Sequence, residues 1–282
     1  MTTYAVTGAT GHLGRLAVAE LLARGVPADD VVALARTPDK AADLGVSVRH
    51  ADYSDPSTLT TALAGVDSLL LVSGNEVGRR VAQHAAVIDA AKAAGVDRVV
   101  YTSLPHADVS RSPLAPEHKA TEELLRDSGL QYASLRNNWY YENYTARLPQ
   151  YLQSGEVVGL SGDAHIGAAA RPDYAAAAAA ALLDPPPHGA FVELSGPGFS
   201  LAELAAAITA VTGTTVVYRD GTPDELAAAL RGTGMDEGLA GFFVSLEEST
   251  ARGDLDVRTD DLERLLGRAS ITIEEALRAE QR

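Results

Sequence analysis

Short apolar runs alternate along this chain with longer stretches whose apolar residues recur at helical spacing. The runs are Tyr4–Val6, Val31–Arg36, Val46–Ala51, Asp67–Ser73, Arg98–Ser103 and Gln131–Arg136, then Glu156–Ser161, Ala190–Leu194 and Thr215–Tyr218. Asp67–Ser73 is apolar without alternation, as a parallel strand covered on both faces should be. Helices are predicted over Leu16–Leu22, from Asp55-Pro56-Ser57 to Leu63, over Val77–Ala94 and over Pro116–Leu125. An alanine-rich helix capped by Asp173 follows, broken at Asp184-Pro185-Pro186-Pro187. Further helices cover Leu201–Val211, start at Thr222-Pro223-Asp224-Glu225, and end the chain around Ile273–Leu277, with glycine-rich breaks between 232 and 241.

This alternation predicts an α/β fold: a Rossmann-like, doubly wound parallel sheet with a smaller C-terminal α/β lobe. A dinucleotide-binding unit is expected over 1–150, with returning segments 156–195. Residues 196–282 are expected to form a small substrate-side lobe.

The junction between the first run and the first helix carries Gly8-Ala9-Thr10-Gly11-His12-Leu13-Gly14. Strand, glycine turn and helix make the context a dinucleotide fingerprint requires. Gly8 suits a tight turn, Gly11 leaves room for a pyrophosphate, and Gly14 lets helix and strand pack closely. The helix start presents free N–H groups to the phosphates. Arg36 falls 22 residues after Gly14, at the end of the second strand. An acid there would hold a ribose 2′-hydroxyl, whereas an arginine pairs with a 2′-phosphate. NADPH is therefore the expected cofactor. Asp52, after the third strand, is a candidate adenine contact, and the loop Ser73-Gly74-Asn75-Glu76 at the end of the fourth is expected to border the same crevice. Ser103 ends the fifth strand, where a hydroxyl near the reacting carbon is expected. His84 reads as a packing or surface residue.

One absence is informative. No tyrosine is followed four residues on by lysine, and the only lysines are Lys40, Lys92 and Lys119. The pair that moves protons in short-chain dehydrogenases is missing. Spacing allows His118 or Lys119 in the lysine slot, leaving Leu114 or Ala115 in the tyrosine slot. This argues against alcohol oxidation, epimerisation and dehydration. After the sixth strand, Asn137-Asn138-Trp139-Tyr140-Tyr141-Glu142-Asn143-Tyr144 can wall a flat substrate or seal a joint between lobes. Arg171 is placed to reach the cleft.

Composition narrows the reading. Forty-six per cent of the 282 residues are hydrophobic, ample for a large core. The net charge of −15 and the lack of a basic stripe argue against a nucleic-acid partner. No apolar stretch reaches the roughly 18 residues of a membrane span, and no signal peptide is visible. Cysteine is absent, which excludes disulfides and thiolate metal sites and fits a reducing cytoplasm. No metal is implied.

The residues Thr7–Gly14, Ala51-Asp52-Tyr53, Glu76-Val77-Gly78, 90–96, Tyr101-Thr102-Ser103-Leu104, Glu117-His118, Arg136-Asn137, Trp139-Tyr140, Glu142-Asn143-Tyr144 and Arg171-Pro172-Asp173-Tyr174-Ala175 resemble the NmrA-like, atypical short-chain dehydrogenase/reductases. Within them the likeness runs to the bacterial NADPH:quinone oxidoreductases of the second type. It extends over nearly the whole chain and implies an NADPH-binding domain with hydride passing directly to a flat, electron-poor acceptor such as a quinone. It further implies that Gly8–Gly14 hold the pyrophosphate and Arg36 the 2′-phosphate. The loops at Val72 to Val77 and Tyr140 to Thr145, with Arg171, then flank nicotinamide and substrate, with Tyr53 a further cofactor contact. Tyr140 and Asn143 are candidate donors to the developing charge, and His118 either supplies a proton or positions the ribose. Gly74-Asn75, Asn138 and Tyr141 depart from the pattern. The partner is a small-molecule acceptor, with a homodimer left open. Two other readings stand beside this one. A non-catalytic redox sensor would bind dinucleotide without turning it over, and a biosynthetic reductase would act on an activated C=C or C=N bond.

Overall fold

The computed structural model describes residues 2–281; the outer bounds of the two expected units, positions 1 and 282, lie outside them. Strands β1 (Tyr4–Val6), β2 (Val31–Ala35), β3 (Ser47–His50), β4 (Ser68–Leu71), β5 (Arg98–Ser103), β6 (Gln131–Asn137) and β8 (Ala190–Leu194) form one parallel sheet. Their order is β3-β2-β1-β4-β5-β6-β8. The direction of winding reverses between β1 and β4, so a crevice opens at the carboxyl ends of those two strands.

Successive strand residues face opposite layers. Val6, Ala33, Leu70 and Val100 pack against α1 (His12–Ala23), α7 (Arg171–Leu183) and α11 (Asp261–Leu266). Ala5, Val32, Leu69, Val99 and Tyr101 pack against α2 (Pro56–Ala62), α3 (Arg80–Ala94) and α4 (Ala115–Ser128). Burial on both faces explains why the inner strands β2 and β4 read as unbroken apolar runs. The alanine run of α7 is almost wholly buried and belongs to the core that α1 also fills. Small side chains let two helices approach there, so the alanines serve packing.

A second body of structure has its own core. Tyr141 and Tyr144 from α5 (Glu142–Thr145) and its lead-in, Tyr151 of α6 (Leu148–Ser154) and Val157 of β7 (Glu156–Gly159) contribute to it. Leu204 and Ile208 of α8 (Leu201–Thr212) and Leu277 of α12 (Ile273–Glu280) complete it. Strand β7 pairs in parallel with β9 (Val217–Asp220). The chain crosses between cores more than once: residues from 141–168 join the smaller core, Ala169 and then α7 the larger, residues from 201–216 the smaller again, and Leu262 of α11 returns to the larger.

Two local expectations need correction. The break expected between 232 and 241 is confined to 233–236: helix α9 (Pro223–Gly232) ends just before it, and α10 (Glu237–Ala251) runs on through Gly238 and Gly241. The Asp236 side chain caps it, accepting from Leu239 N–H at 3.0 Å, and two glycines do not outweigh that start and its tertiary support. Asp173 does not cap α7. It lies inside the first turn, fully buried, where its carboxylate accepts from Arg268 Nη2 at 2.8 Å and from Ile271 N–H at 2.7 Å. The cap comes from elsewhere: Glu142 accepts the Arg171 N–H at 2.8 Å.

Candidate functional site

The glycine turn is built by local geometry. Gly8 has φ +60°, a conformation that L side chains resist, and its carbonyl accepts the Gly11 N–H at 2.8 Å. A Cβ on Gly14 would lie 2.4 Å from the Gly8 oxygen, which shows how closely α1 abuts the turn. Helix α1 starts after Gly11 with no side-chain cap and no acid in its first turn. Its first N–H groups therefore face the crevice with their partial positive charge uncompensated. The floor is fixed by Thr7, whose hydroxyl donates to Leu70 O at 3.1 Å and accepts from Val72 N–H at 2.8 Å. The Tyr53 hydroxyl reaches Thr7 Oγ1 at 2.5 Å and Val72 O at 2.8 Å, and burial pushes its pKa well up.

The crevice has a volume of about 380 Å³. Of the residues expected at a cofactor, Gly8, Thr10, Gly11, His12, Leu13, Gly14, Arg36, Asp52, Tyr53, Val72, Ser73, Gly74 and Asn75 line it. Ala9 does not; it is fully buried in the core beneath. Ala51, Glu76 and Gln83 also line the crevice. Glu76 stands on the loop expected to border the cofactor and in a segment that carries the family resemblance, though the sequence assigns it no role of its own. An uncapped helix start, a side-chain-free turn and an arginine at the end of β2 fit a phosphate-bearing dinucleotide.

The loop between β4 and α3 is pinned from beneath. Gly74 N–H donates to His84 Nε2 at 2.9 Å, and Gly74 O accepts from Arg80 Nε at 2.7 Å. Since Nε2 accepts, Nδ1 of the neutral ring carries the proton and donates to Thr121 Oγ1 at 2.9 Å. Burial, with the charge of Arg80, lowers the His84 pKa to about 3. At its far end Gly78 N–H donates to Glu117 Oε1 at 3.0 Å, while Glu117 Oε2 meets Arg80 Nη1 at 3.1 Å. His84 is thus a packing residue with a definite job: it fixes one wall of the crevice.

His118 and Lys119 separate cleanly. Lys119 is exposed on α4, whereas His118 is buried with Nδ1 2.8 Å from Tyr101 Oη. Burial, followed by the charges of Arg80 and His84, lowers the His118 pKa to about 3. Ser103 lies away from the crevice lining and donates to Glu122 Oε1 at 2.7 Å. Glu122 also holds Arg136 through Nε at 3.0 Å and Nη2 at 2.8 Å, and Arg136 reaches Glu193 at 2.9 Å. Burial opposes the guanidinium charge, but these carboxylates outweigh it and keep Arg136 ionised. Ser103 is therefore engaged in a buried ion network.

At the joint with the smaller core, Tyr140 is half-buried, its ring edge-on to Tyr174 with centroids 5.3 Å apart. The Arg171 guanidinium lies over the Tyr140 ring, 4.9 Å from its centroid. Arg171 is not among the crevice-lining residues. Asn143 is exposed on α5. Asn138 and Tyr141 are buried: Asn138 Nδ2 donates to Leu255 O at 3.0 Å, and Tyr141 stacks on Phe199. These two departures from the family pattern thus lie inside the joint. Both polar side-chain atoms of Asn137 are buried without a partner among the described residues.

Among the described residues no helix is long and apolar enough to cross a membrane. A family model described as NAD(P)H-binding matches residues 8–185. The chain is 44% identical to quinone oxidoreductase 2 of Escherichia coli over 97% of this chain and 96% of that protein. It is 33% identical to an NmrA-like family domain-containing oxidoreductase of Aspergillus flavus, over 98% and 94%. The crystal structure of the E. coli NADPH-dependent quinone oxidoreductase complexed with NADPH superposes with a TM-score of 0.94 at 43% identity, covering 99% of this chain and all of that one. Triphenylmethane reductase of Citrobacter sp., complexed with NADP(H), gives 0.93 at 33% identity, covering 99% and 100%.

Proposed function

The chain belongs to the NmrA-like, NAD(P)H-binding family, and from that premise we propose that it is an NADPH-dependent oxidoreductase acting on a flat, electron-poor acceptor such as a quinone. The observation that carries this reading is the near-full-length likeness to E. coli quinone oxidoreductase 2, in sequence and in structure. The crevice supports it: one arginine and one uncapped helix start face the same space.

When bound, the reduced nicotinamide supplies a hydride; the chain's residues bind and orient. The N–H groups at the start of α1 hold the pyrophosphate and Arg36 the 2′-phosphate. The Thr7–Tyr53–Val72 bonds keep the crevice floor rigid, and the His84 and Arg80 bonds keep its wall in place. Tyr140, braced by Arg171 and Tyr174, presents an aromatic wall to a flat acceptor.

Proton handling is light. His118 is neutral at physiological pH, so it serves as a fixed dipole and not as an imidazolium acid. A quinone tolerates this, because its ring delocalises the charge it gains. Tyr140 and the exposed Asn143 are hydrogen-bond donors for that charge.

The test is NADPH and NADH oxidation by the purified chain against quinones and a triphenylmethane dye. Turnover with NADPH preferred is expected. Tight NADPH binding with no turnover on any acceptor would overturn the reading in favour of a sensor.

A further inference from the structure

Glu76 stands between two arginines. Its Oε1 is 3.4 Å from Arg36 Nη1 and its Oε2 is 2.9 Å from Arg79 Nη1. Arg79 in turn reaches Ser54 Oγ at 3.4 Å with Nη2. The carboxylate lines the same crevice as Arg36 and the glycine turn. It does not wander there. The backbone two residues before it is fixed at Gly74 by His84 and Arg80, and two residues after it at Gly78 by Glu117.

We propose that Glu76 sets the choice between a 2′-phosphorylated and a 2′-hydroxyl dinucleotide. This rests on the reading that Arg36 faces the ribose 2′ position. A ribose 2′-hydroxyl is a donor and finds an ionised acceptor in Glu76. Folds selective for the unphosphorylated cofactor place such an acid at the end of the second strand. Here the acid arrives from across the crevice, on the loop after β4. A 2′-phosphate gains Arg36 but must displace Glu76 from it or lie beside its like charge, while Arg79, outside the crevice lining, holds Glu76 from its other oxygen. One site thus holds a cation for NADPH and an acceptor for NADH. The chain then discriminates less than Arg36 alone would dictate.

The experiment is calorimetric titration with the fragments 2′,5′-ADP and 5′-AMP at low ionic strength, so that turnover plays no part. The variants are Glu76→Gln, which keeps the shape and removes the charge, and Arg36→Ala. Glu76→Gln is expected to bind 2′,5′-ADP several-fold tighter and 5′-AMP more weakly, widening the ratio by about tenfold, the change that roughly 1.4 kcal/mol produces. Equal shifts for both fragments, no shift, or weaker 2′,5′-ADP binding would overturn the proposal. Arg36→Ala separates the premise: if it leaves the preference for 2′,5′-ADP intact, Arg36 does not face the 2′ position and the underlying reading fails. A thermal melt of Glu76→Gln matching wild type shows that the isosteric change left the fold intact.

Discussion

Tyr101 Oη and His118 Nδ1 lie 2.8 Å apart, in a buried pair that joins the end of β5 to α4. Neither residue lines the crevice and Tyr101 is fully buried, so this strand tyrosine does not stand in for the helix tyrosine of short-chain dehydrogenases. Burial pushes the Tyr101 pKa up and lowers that of His118 to about 3, so both groups are neutral near pH 7.

That pairing predicts the shape of the pH–rate profile. With a quinone at saturation, kcat should be flat from about pH 5 to about pH 8, without the inflection near 6.5 that an ordinary histidine gives. His118→Gln should keep the flat shape even where it lowers the rate. A wild-type inflection near 6.5 that the variant loses would show that His118 titrates during turnover.

The two buried histidines also predict acid sensitivity. His84 and His118 have native pKa values near 3, below the ordinary 6.5, so the unfolded chain binds more protons between those values. Their neutral burial is fully tolerated above pH 6.5, and stability falls as pH drops through that window toward 3. Each contributes a slope of up to about 1.4 kcal/mol per pH unit. Urea unfolding across this range measures it, and His118→Gln should make the slope shallower.

Gly14 and Gly11 should respond differently to alanine. A Cβ at Gly14 meets the Gly8 oxygen at 2.4 Å and its carbonyl carbon at 2.8 Å, all backbone, so helix and turn must separate. Gly14→Ala should cost about 2 kcal/mol or more in stability and weaken dinucleotide binding at least tenfold. At Gly11 the corresponding contact is 3.2 Å, so Gly11→Ala should fold nearly as well as wild type. Its loss should fall on pyrophosphate binding. Thermal melts beside NADPH titrations distinguish the two.

Arg36→Asp should invert cofactor preference. The side chain is exposed and meets only Glu76 among the described residues, so folding should change little. NADPH affinity should fall by about 10- to 100-fold, since a charge-assisted pair becomes a repulsive one. NADH affinity should hold or rise, as an acid at this position accepts a 2′-hydroxyl.

Strands β5 and β8 run over the residues their sequence patterns mark, Arg98–Ser103 and Ala190–Leu194; β5 is buried on both faces, whereas the edge strand β8 buries Val192 and Leu194 and leaves Phe191 exposed. The glycine turn was legible for a local reason: φ at Gly8 and the clearance at Gly14 depend on neighbours within seven residues. The helix limits were less so. Helix α3 starts at Arg80, three residues later than its pattern suggests, because Gly74–Gly78 are drawn onto α3 and α4 by His84, Arg80 and Glu117. The pairs that shape the site share that difficulty. Tyr101 meets His118, and Glu76 meets Arg36, only because strand register and helix placement bring distant positions together. No local pattern encodes those distances, so the partners of Glu76 and Tyr101 are not legible in sequence, although both stand in segments that carry the family resemblance.

The most direct test of the central claim is a single-turnover mix of the chain, NADPH deuterated at the transferred position, and a quinone. Direct transfer predicts no NADPH oxidation until quinone is added, then equal rates of NADPH loss and quinone reduction, both slowed by deuterium. NADPH oxidation that leaves the protein reduced before quinone arrives, or no quinone-dependent oxidation at all, would contradict it.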